Sequence, residues 1–233
     1  MRFNFGCPAP STAARASAKV ASGRAITRAA LALCLATPLL EAASPLRPPA
    51  GLDTFMPVPA DNPLTAASVA LGGKLFRDPI LSADWSISCA SCHDPDRSFT
   101  DSRPKAVGVF GREGPRRVPK LLNRGYGRRL FWDGRIASLG EQVLQSVINQ
   151  MEMDLQVSEA VERLAADAGY RLEFGESFGR APNGEDLARA LASYVRTILS
   201  GGSRYDRYLA GASEALDGRE RLGLEVFRGK GNC

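Results

Sequence analysis

The sequence has little of several features that mark common classes of protein. Beyond the first 44 residues it contains one histidine and only three cysteines, Cys89, Cys92 and Cys233. Three thiols are too few for a disulfide framework, and with one histidine they make a poor closed zinc site. The apolar run from Ala29 to Leu40 is well short of the roughly 20 residues that span a bilayer, so a permanent anchor is the weaker interpretation of it.

An excess of charge is also missing from most of the chain. The formal net charge is +5, but five basic residues lie before residue 45 and only Glu41 opposes them. The rest of the chain holds 25 basic and 24 acidic residues. Because affinity for nucleic acid rests largely on neutralising phosphates, this balance gives no reason to predict a nucleic-acid partner.

The N-terminal stretch has instead the pattern of an export signal. Scattered Arg and Lys come first, the apolar run follows, and the small residues Ala42, Ala43 and Ser44 come after it. This order of basic, apolar and small residues predicts a signal peptide over residues 1–44. The mature protein would then be exported.

The remaining part contains the run Cys89-Ala-Ser-Cys92-His93. Thioether attachment of a haem needs two thiols that reach the two vinyl groups, and an imidazole just behind the second thiol that binds the iron. Two spacer residues and an adjacent histidine give that geometry. We therefore predict a covalently bound haem c, attached through Cys89 and Cys92, with His93 as the axial ligand of the iron.

Two other interpretations of this run are weaker. A zinc knuckle would need a fourth ligand, for which only the distant Cys233 is available. A thioredoxin-like redox pair is expected near a strand-helix-strand pattern, whereas residues 82–88 and 94–104 have the composition of loops.

A seven-residue pattern occurs twice in the chain. Leu71-Gly-Gly-Lys-Leu-Phe-Arg77 precedes the haem motif, and Leu222-Gly-Leu-Glu-Val-Phe-Arg228 precedes Cys233. Both predict a short helix with one apolar face, which is how a cytochrome c domain opens. We interpret Cys233 as the first thiol of a second haem motif, inside which the given chain ends; a free thiol is the alternative.

Helix signals dominate the residues in between. Ser138 with Glu141, Ser158 and Asn183 each predict a helix start, and the glycine-rich residues 201–203 predict a boundary. No segment alternates convincingly as a strand does. We predict a mainly α fold of tandem cytochrome c-like haem domains, the first over residues 45–200 and the second, incomplete, over residues 201–233.

Three further runs carry a resemblance to a known family. They are Asp61-Asn-Pro-Leu-Thr65, Phe131-Trp-Asp-Gly-Arg135 and Met151-Glu-Met153. With the haem motif and the repeat, they make residues 55 to 233 similar to bacterial di-haem cytochrome c peroxidases, a group that includes the methylamine-utilisation di-haem enzymes. The resemblance implies a periplasmic enzyme that reduces hydrogen peroxide with electrons from a small redox protein, a cytochrome c or a cupredoxin. A homodimer is compatible with it.

The resemblance also implies roles for individual residues. In the family the first haem reduces peroxide and the second receives electrons, so Cys89, Cys92 and His93 would hold the peroxidatic haem. Trp132, in the Phe131–Arg135 run, would relay electrons between the haems. A core aromatic is the alternative interpretation of Trp132.

A family glutamate moves a proton between the two peroxide oxygens. Its counterpart here is Glu152, in the run Asn149-Gln-Met-Glu-Met153, where Gln150 and Met151 replace a proline of the family. A surface carboxylate is the alternative. Gln142 matches a family glutamine on the preceding helix and would line the same pocket.

The family also places a calcium ion between its two domains. The run Pro119-Lys-Leu-Leu-Asn123 matches the family's calcium-binding run except that Lys120 replaces a threonine. Asn123 is therefore a candidate calcium ligand.

The single histidine has a consequence for the iron. Many members of the family cap the peroxidatic haem with a second histidine, and residues 1–233 contain only His93. We predict an open ferric site, with Lys105 or a methionine (Met56, Met151 or Met153) as the alternative sixth ligand. A methionine ligand would favour an electron-transfer cytochrome c without peroxide chemistry. A di-haem oxidase of another substrate is a third alternative.

Overall fold

The computed structural model describes residues 46–233, so the predicted signal peptide lies outside the described part of the chain. This part contains eight α-helices: α1 (Ala66–Arg77), α2 (Cys89–Cys92), α3 (Leu139–Ile148), α4 (Val157–Ala166), α5 (Ala168–Phe178), α6 (Gly184–Arg196), α7 (Arg204–Leu209) and α8 (Gly218–Arg228). Single 3₁₀ turns lie at Pro79–Leu81, Pro95–Arg97, Val109–Gly111, Arg124–Tyr126 and Ser213–Ala215. No strand forms among residues 46–233, where the only β pairing is three isolated bridges. The prediction of a mainly α fold is confirmed.

Several helices begin where the sequence offers a capping side chain. Ser138 accepts a hydrogen bond from the Glu141 amide and Asn183 accepts one from the Asp186 amide, so α3 and α6 start at the predicted positions. Helix α4 starts at Val157, one residue before the predicted start. Helix α5 was not predicted. Its apolar residues are spread around the helix, and its cap, Asp167, comes directly after α4.

Helix α6 is the centre of the packing and contacts α1, α3 and α4. Leu75 and Phe76 of α1 are fully buried, and burying one such side chain stabilises the fold by about 1.5–3 kcal/mol. Gly72 makes the approach of α1 to α6 possible. A Cβ atom at this position would lie 2.0 Å from the backbone oxygen of Ala190.

The segment between α2 and α3 contains no α-helix. Its chain is held by polar contacts to the backbone, including Thr100 Oγ1 to the Val118 oxygen at 2.7 Å and Arg117 Nη2 to the Asp101 oxygen at 3.2 Å. This segment contacts the haem motif, which forms α2 and His93, and α1 packs against α2.

Residues after α6 form a separate, exposed pair of helices. A salt bridge between Arg204 and Glu220 joins α7 to α8, and Arg228 Nη2 donates to the Tyr205 hydroxyl at 2.5 Å. Most of the side chains of this pair are exposed. Across residues 46–233, no helix is long and apolar enough to cross a membrane.

Candidate functional site

The haem motif folds as a single helical turn, α2, with His93 immediately after it. The His93 amide donates to the Cys89 oxygen at 2.8 Å, which closes the turn. Residues three apart lie on the same side of a helix, so the Cys89 and Cys92 side chains share one side of α2. Both thiols are free.

The His93 ring is fixed by the backbone. Its Nδ1 atom lies 3.1 Å from the Phe99 carbonyl oxygen, and with the proton on Nδ1 the lone pair of Nε2 is left for a metal. Burial lowers the pKa of His93, against hydrogen bonds to the backbone of Phe99 and Pro119 that act in the opposite direction. The imidazole is therefore held in the neutral form that a metal ligand requires.

These residues fit a haem c. Cys89 and Phe99 pack against the main hydrophobic core, to which Phe76 belongs, so the motif has an apolar wall beside it. Two free thiols one turn apart and one oriented imidazole are the donor set that thioether attachment and axial ligation use. Within residues 46–233, no group of three or more His, Cys, Asp or Glu side chains is arranged to hold a bare metal ion.

Glu152 lies near enough to Cys89 and Cys92 for its charge to act on both thiols. Burial raises the pKa of Cys89 to about 12, and the charges of Cys92 and Glu152 act in the same direction. The Glu152 charge also acts on Cys92. The charge of Glu152 acts on both thiols, and its side chain is partly buried next to the haem motif. The interpretation of Glu152 as a free surface carboxylate is therefore wrong.

The surroundings of Glu152 control its protonation. Burial raises the pKa of Glu152, while hydrogen bonds from Ser146 and Asn149 and the charge of Arg135 act in the opposite direction. The Asn149 Nδ2 atom donates to Oε1 of Glu152 at 2.8 Å. This bond occupies one carboxyl oxygen and orients the group.

Helix α3 brings Gln142 towards the same pocket. Gln142 and Ser146 are four residues apart and so lie on one face of α3, and Ser146 contacts Glu152. Ser146 was not predicted as a site residue. Its position one turn after Gln142 is the sequence signal that would have pointed to it.

A loop over the haem motif holds Glu152 in place. The Val109 amide donates to the Glu152 backbone oxygen at 2.8 Å, and Cys92 Sγ donates to the Val107 oxygen at 3.6 Å. Gly108 is needed for this approach, because a Cβ atom there would lie 2.3 Å from the Met151 backbone oxygen. The loop therefore ties the thiol side of the pocket to the carboxylate side.

Trp132 lies at the tip of a tight loop. The Leu130 amide donates to the Ile136 oxygen at 2.8 Å and closes the loop, while Arg135 stacks 3.9 Å from the centre of the Phe131 ring. The Trp132 side chain is 83% exposed, so the interpretation as a core aromatic is wrong. An exposed indole suits a position where another part of a protein or a partner approaches.

Asn123 uses its side chain to join two segments. Its Nδ2 donates to the Ser200 oxygen at 2.9 Å, and its Oδ1 accepts from the Ser200 amide at 2.8 Å. A carbonyl oxygen has two lone pairs, so Oδ1 keeps one for a cation. Calcium binding by Asn123 stays a prediction.

Three of the four alternative sixth ligands have other contacts. Lys105 Nζ lies 3.6 Å from Glu113 in an exposed ion pair. Met153 belongs to the main hydrophobic core, and Met56 is buried against Gly125. Met151 is 38% exposed.

Cys233 lies beyond α8, apart from the other two thiols. It is exposed, and its Sγ atom donates to the Gly231 oxygen at 3.2 Å. Its assignment to a second haem motif stays a prediction.

Comparison with known proteins identifies relatives of the chain. A family model described as di-haem cytochrome c peroxidase matches residues 66–214. The methylamine utilization protein MauG of Methylorubrum extorquens is 39% identical over 180 residues, which cover 76% of this chain and 51% of the relative. The cytochrome c551 peroxidase of Pseudomonas aeruginosa is 31% identical over 219 residues, which cover 90% of this chain and 63% of the relative.

The solved structures give the same result. A crystal structure described as a MauG-like protein associated with microbial copper homeostasis has a TM-score of 0.70 and 32% sequence identity. The match covers 77% of this chain and 54% of that protein. The chain thus spans about half the length of the curated relatives and structures that it matches.

Proposed function

Because the chain belongs to the di-haem cytochrome c peroxidase family, we propose that it acts in an exported, periplasmic enzyme that reduces hydrogen peroxide to water. Its electrons would come from a small redox protein, a cytochrome c or a cupredoxin. The name of the Pseudomonas aeruginosa relative, cytochrome c551 peroxidase, supports a small cytochrome. The observation that carries the proposal is the partly buried Glu152 beside the haem-attachment thiols.

The cofactor requirement follows from the haem motif. A haem held by Cys89, Cys92 and His93 supplies the electron-transfer chemistry when it is bound. The Phe99 carbonyl sets the orientation of the His93 ring and increases its basicity towards iron. The apolar wall beside the motif keeps water away from the His93 ring.

The chain's own task is to move a proton. Reduction of one hydrogen peroxide to two waters consumes two protons and two electrons, and one oxygen must leave as water. Glu152 takes the proton from one peroxide oxygen and delivers it to the other. Hydrogen bonds from Ser146 and Asn149 hold the carboxyl group in place for this transfer. The raised pKa of Glu152 brings its proton affinity closer to neutral pH, which suits an acid-base group.

Substitution of Glu152 tests this role directly. The haem-loaded ferric protein is mixed with hydrogen peroxide in a stopped-flow spectrometer, and the Soret band is followed. We expect Glu152→Gln to slow the reaction by roughly 10²- to 10⁴-fold, the usual contribution of a positioned proton donor. Glu162→Gln, an exposed position on α4, is the matched control. Equal rates for both variants and the parent would contradict the proposal.

The electron route is part of the same proposal. Residues 45–200 would form the peroxidatic domain, residues 201–233 would open a second haem domain, and the exposed Trp132 would lie between the two haems. Asn123 would be a ligand of a calcium ion between the two domains. Trp132→Phe should slow electron arrival at the peroxidatic haem, whereas Trp85→Phe, at a second exposed tryptophan, should not. If electron arrival were slow in Trp85→Phe and normal in Trp132→Phe, the relay would be Trp85 and not Trp132.

The methylamine utilization relative favours a second candidate function. In this candidate the same site uses peroxide to oxidise another protein or an organic substrate. The two candidates differ in what is consumed along with peroxide. Rapid peroxide-dependent oxidation of a reduced small cytochrome would support the peroxidase, and its absence in an otherwise peroxide-reactive protein would support the second candidate.

The electron-carrier alternative is less well supported by the contacts of the methionines. Met153 packs in the core and its backbone oxygen accepts from the Ala83 amide at 2.9 Å. Low-spin ferric iron that does not react with peroxide would nevertheless favour the carrier. Optical and electron paramagnetic resonance spectra of the ferric protein distinguish the two.

A further inference from the structure

Three aromatic rings form a continuous line from the haem motif through α1 to α6. The Phe99 ring meets the Phe76 ring edge-on, with 6.2 Å between the ring centres, and the Phe76 ring meets the Tyr194 ring at 5.0 Å. Phe99 is also the residue whose backbone oxygen lies 3.1 Å from Nδ1 of His93. The line therefore begins at the residue that holds the predicted axial ligand, and it ends at a phenol.

The three rings differ in how readily they lose an electron. A phenylalanine ring has no group that releases a proton, whereas the phenol of tyrosine loses one electron and its hydroxyl proton together to become a neutral radical. Phe76 is only 2% exposed, and Phe99 packs against the same hydrophobic core. The two phenylalanine rings are thus a closely packed path, and Tyr194 is the oxidisable group at its end.

The Tyr194 side chain is held in place by α1. Arg77 Nη2 donates to the Tyr194 hydroxyl at 3.0 Å, and the Arg77 guanidinium lies 5.3 Å from the centre of the ring. The ring also packs on Gly73, where a Cβ atom would lie 3.1 Å from the ring carbon Cδ2. The bond from Arg77 is exposed to solvent and uses the phenol oxygen as an acceptor, so the phenol proton is left for water.

A second tyrosine has the same arginine contacts but no ring beside it. Arg228 Nη2 donates to the Tyr205 hydroxyl at 2.5 Å, and the Arg228 guanidinium lies 5.7 Å from the Tyr205 ring centre. Within residues 46–233, neither Tyr205 nor the buried Tyr170 makes a ring–ring contact. The aromatic line is therefore what distinguishes Tyr194 from these two tyrosines.

We propose that Tyr194 is an internal electron source that protects the haem site when hydrogen peroxide arrives without a reduced donor protein; this rests on the peroxidase function proposed above. Tyr194 gives one electron towards the haem site through Phe76 and Phe99, and its O–H bond breaks as the proton passes to water. A small hydrogen-atom donor such as ascorbate then restores the phenol. A second oxidation of Tyr194 completes the two electrons and two protons that convert one hydrogen peroxide to two waters.

Electron paramagnetic resonance tests the proposal on the haem-loaded, full-chain ferric protein. The protein is mixed with one equivalent of hydrogen peroxide, without a donor, and frozen at successive times. We expect a tyrosyl radical signal that narrows when the protein carries ring-deuterated tyrosine. Tyr194→Phe should lower this signal at least fivefold, whereas Tyr205→Phe, at the matched tyrosine, should leave it unchanged.

The Soret band, followed in parallel, separates failure of this proposal from failure of the peroxidase function. A Soret band that responds to peroxide without a tyrosyl radical, or with an equal radical in Tyr194→Phe, would overturn the role of Tyr194 alone. A Soret band that does not respond to peroxide would overturn the peroxidase function and the role of Tyr194 with it.

A variant of the middle ring tests the path. Phe76→Leu removes the ring but keeps an apolar side chain in the core, and thermal unfolding of the haem-loaded variant checks that it is folded. The tyrosyl radical should appear at least threefold more slowly in Phe76→Leu than in the parent. Equal radical kinetics in the folded variant and the parent would show that the rings are not the path, and the proposal would fail.

Haem bleaching by excess hydrogen peroxide measures the protection itself. Without a donor protein, the Soret band of Tyr194→Phe should bleach at least twofold faster than that of the parent or of Tyr205→Phe. Ascorbate should slow the bleaching of the parent and of Tyr205→Phe more than that of Tyr194→Phe, because it restores the oxidised phenol. Equal bleaching of all three proteins would contradict the protective role.

Discussion

Helices α1 and α8 carry the same sequence pattern in opposite environments. In α1, Leu71 and Phe76 are each 2% exposed, whereas their counterparts in α8, Leu222 and Phe227, are 61% and 56% exposed. The one pair of equivalent glycines, Gly72 and Gly223, differs in the same way. A Cβ atom at Gly72 would collide with the backbone of α6, but a Cβ atom at Gly223 would have no neighbour within 4 Å.

The difference shows that the sequence pattern specifies a helix with an apolar face, whereas burial of that face depends on the neighbouring elements. Both segments form a helix in which the apolar first and fifth residues of the pattern, Leu71 and Leu75 or Leu222 and Val226, lie on one face. Only α1 has α6 packed closely against that face. In the proposed function, the rest of a second haem domain would pack against the apolar face of α8. Paired substitutions at equivalent positions measure this contrast.

The largest effect should come from the cysteines that follow the two helices. Cys89→Ala or Cys92→Ala should abolish normal covalent haem attachment, because each removes one thioether from the motif that contains His93. Cys233→Ala in the 233-residue chain should not change the haem content, because its thiol is exposed and free, and it donates a hydrogen bond to the Gly231 oxygen. Haem staining after denaturing electrophoresis measures both. A loss of haem in Cys233→Ala would break the contrast.

The two phenylalanines should differ strongly in stability. Phe76→Ala leaves a cavity in the core and should lower the free energy of unfolding by about 3–5 kcal/mol. Phe227→Ala should change it by less than about 0.5 kcal/mol, since the ring is largely exposed. Urea unfolding of the haem-loaded protein, followed by circular dichroism, gives both values. A loss above about 1 kcal/mol for Phe227→Ala would show that α8 packs in solution.

The two glycines give a smaller, sharper contrast. Gly72→Ala forces α1 away from Ala190 and should destabilise the protein by about 1–3 kcal/mol. Gly223→Ala has free space and should stabilise α8 by up to about 1 kcal/mol through helix propensity. The same urea unfolding experiment measures these free energies, and the circular dichroism of the folded protein reports any gain of helix in α8. Equal effects at both positions would mean that α1 and α6 adjust more easily than their backbone contact indicates.

The smallest effect concerns pH and compares Glu152 with Glu225 of α8. Burial raises the pKa of Glu152, so the folded protein holds this proton more tightly than the unfolded chain does. Stability from this group should therefore fall as pH rises above the ordinary carboxyl pKa and through the raised pKa of the folded state. Glu152→Gln should remove that decline, and Glu225→Gln should retain it. Unfolding free energies measured between about pH 4 and pH 8 test the sign.

Local sequence signals were sufficient for the haem motif and for much of the helical framework. Two cysteines, two spacers and a histidine predict an attachment site from five adjacent residues, and the structure places the two thiols on one helical turn. Ser138 and Asn183 predicted helix starts because a cap acts on amides two or three residues away. Helix α5 was missed because its apolar residues have little helical periodicity.

The predicted position of Glu152 beside the haem motif came from a family resemblance, and its contacts from the fold. Nothing local in the sequence couples Glu152 to Cys89, which lies 63 positions earlier. The loop at Gly108 brings the two together by packing on the Glu152 backbone. The same holds for Trp132, whose exposure depends on a bridge between Leu130 and Ile136.

The sequence by itself predicted the haem attachment site and determined the helical class, because both depend on residue identity and on spacings of two to four residues. Only the tertiary structure decided that the Phe99 backbone oxygen orients His93 and that the Val109 amide binds the backbone oxygen of Glu152, 43 residues further along the chain. Such facts depend on contacts between residues far apart in the chain or on backbone atoms, which every residue carries. Repeated patterns such as those in α1 and α8 therefore specify a helix and its faces, while burial depends on the surface packed against them.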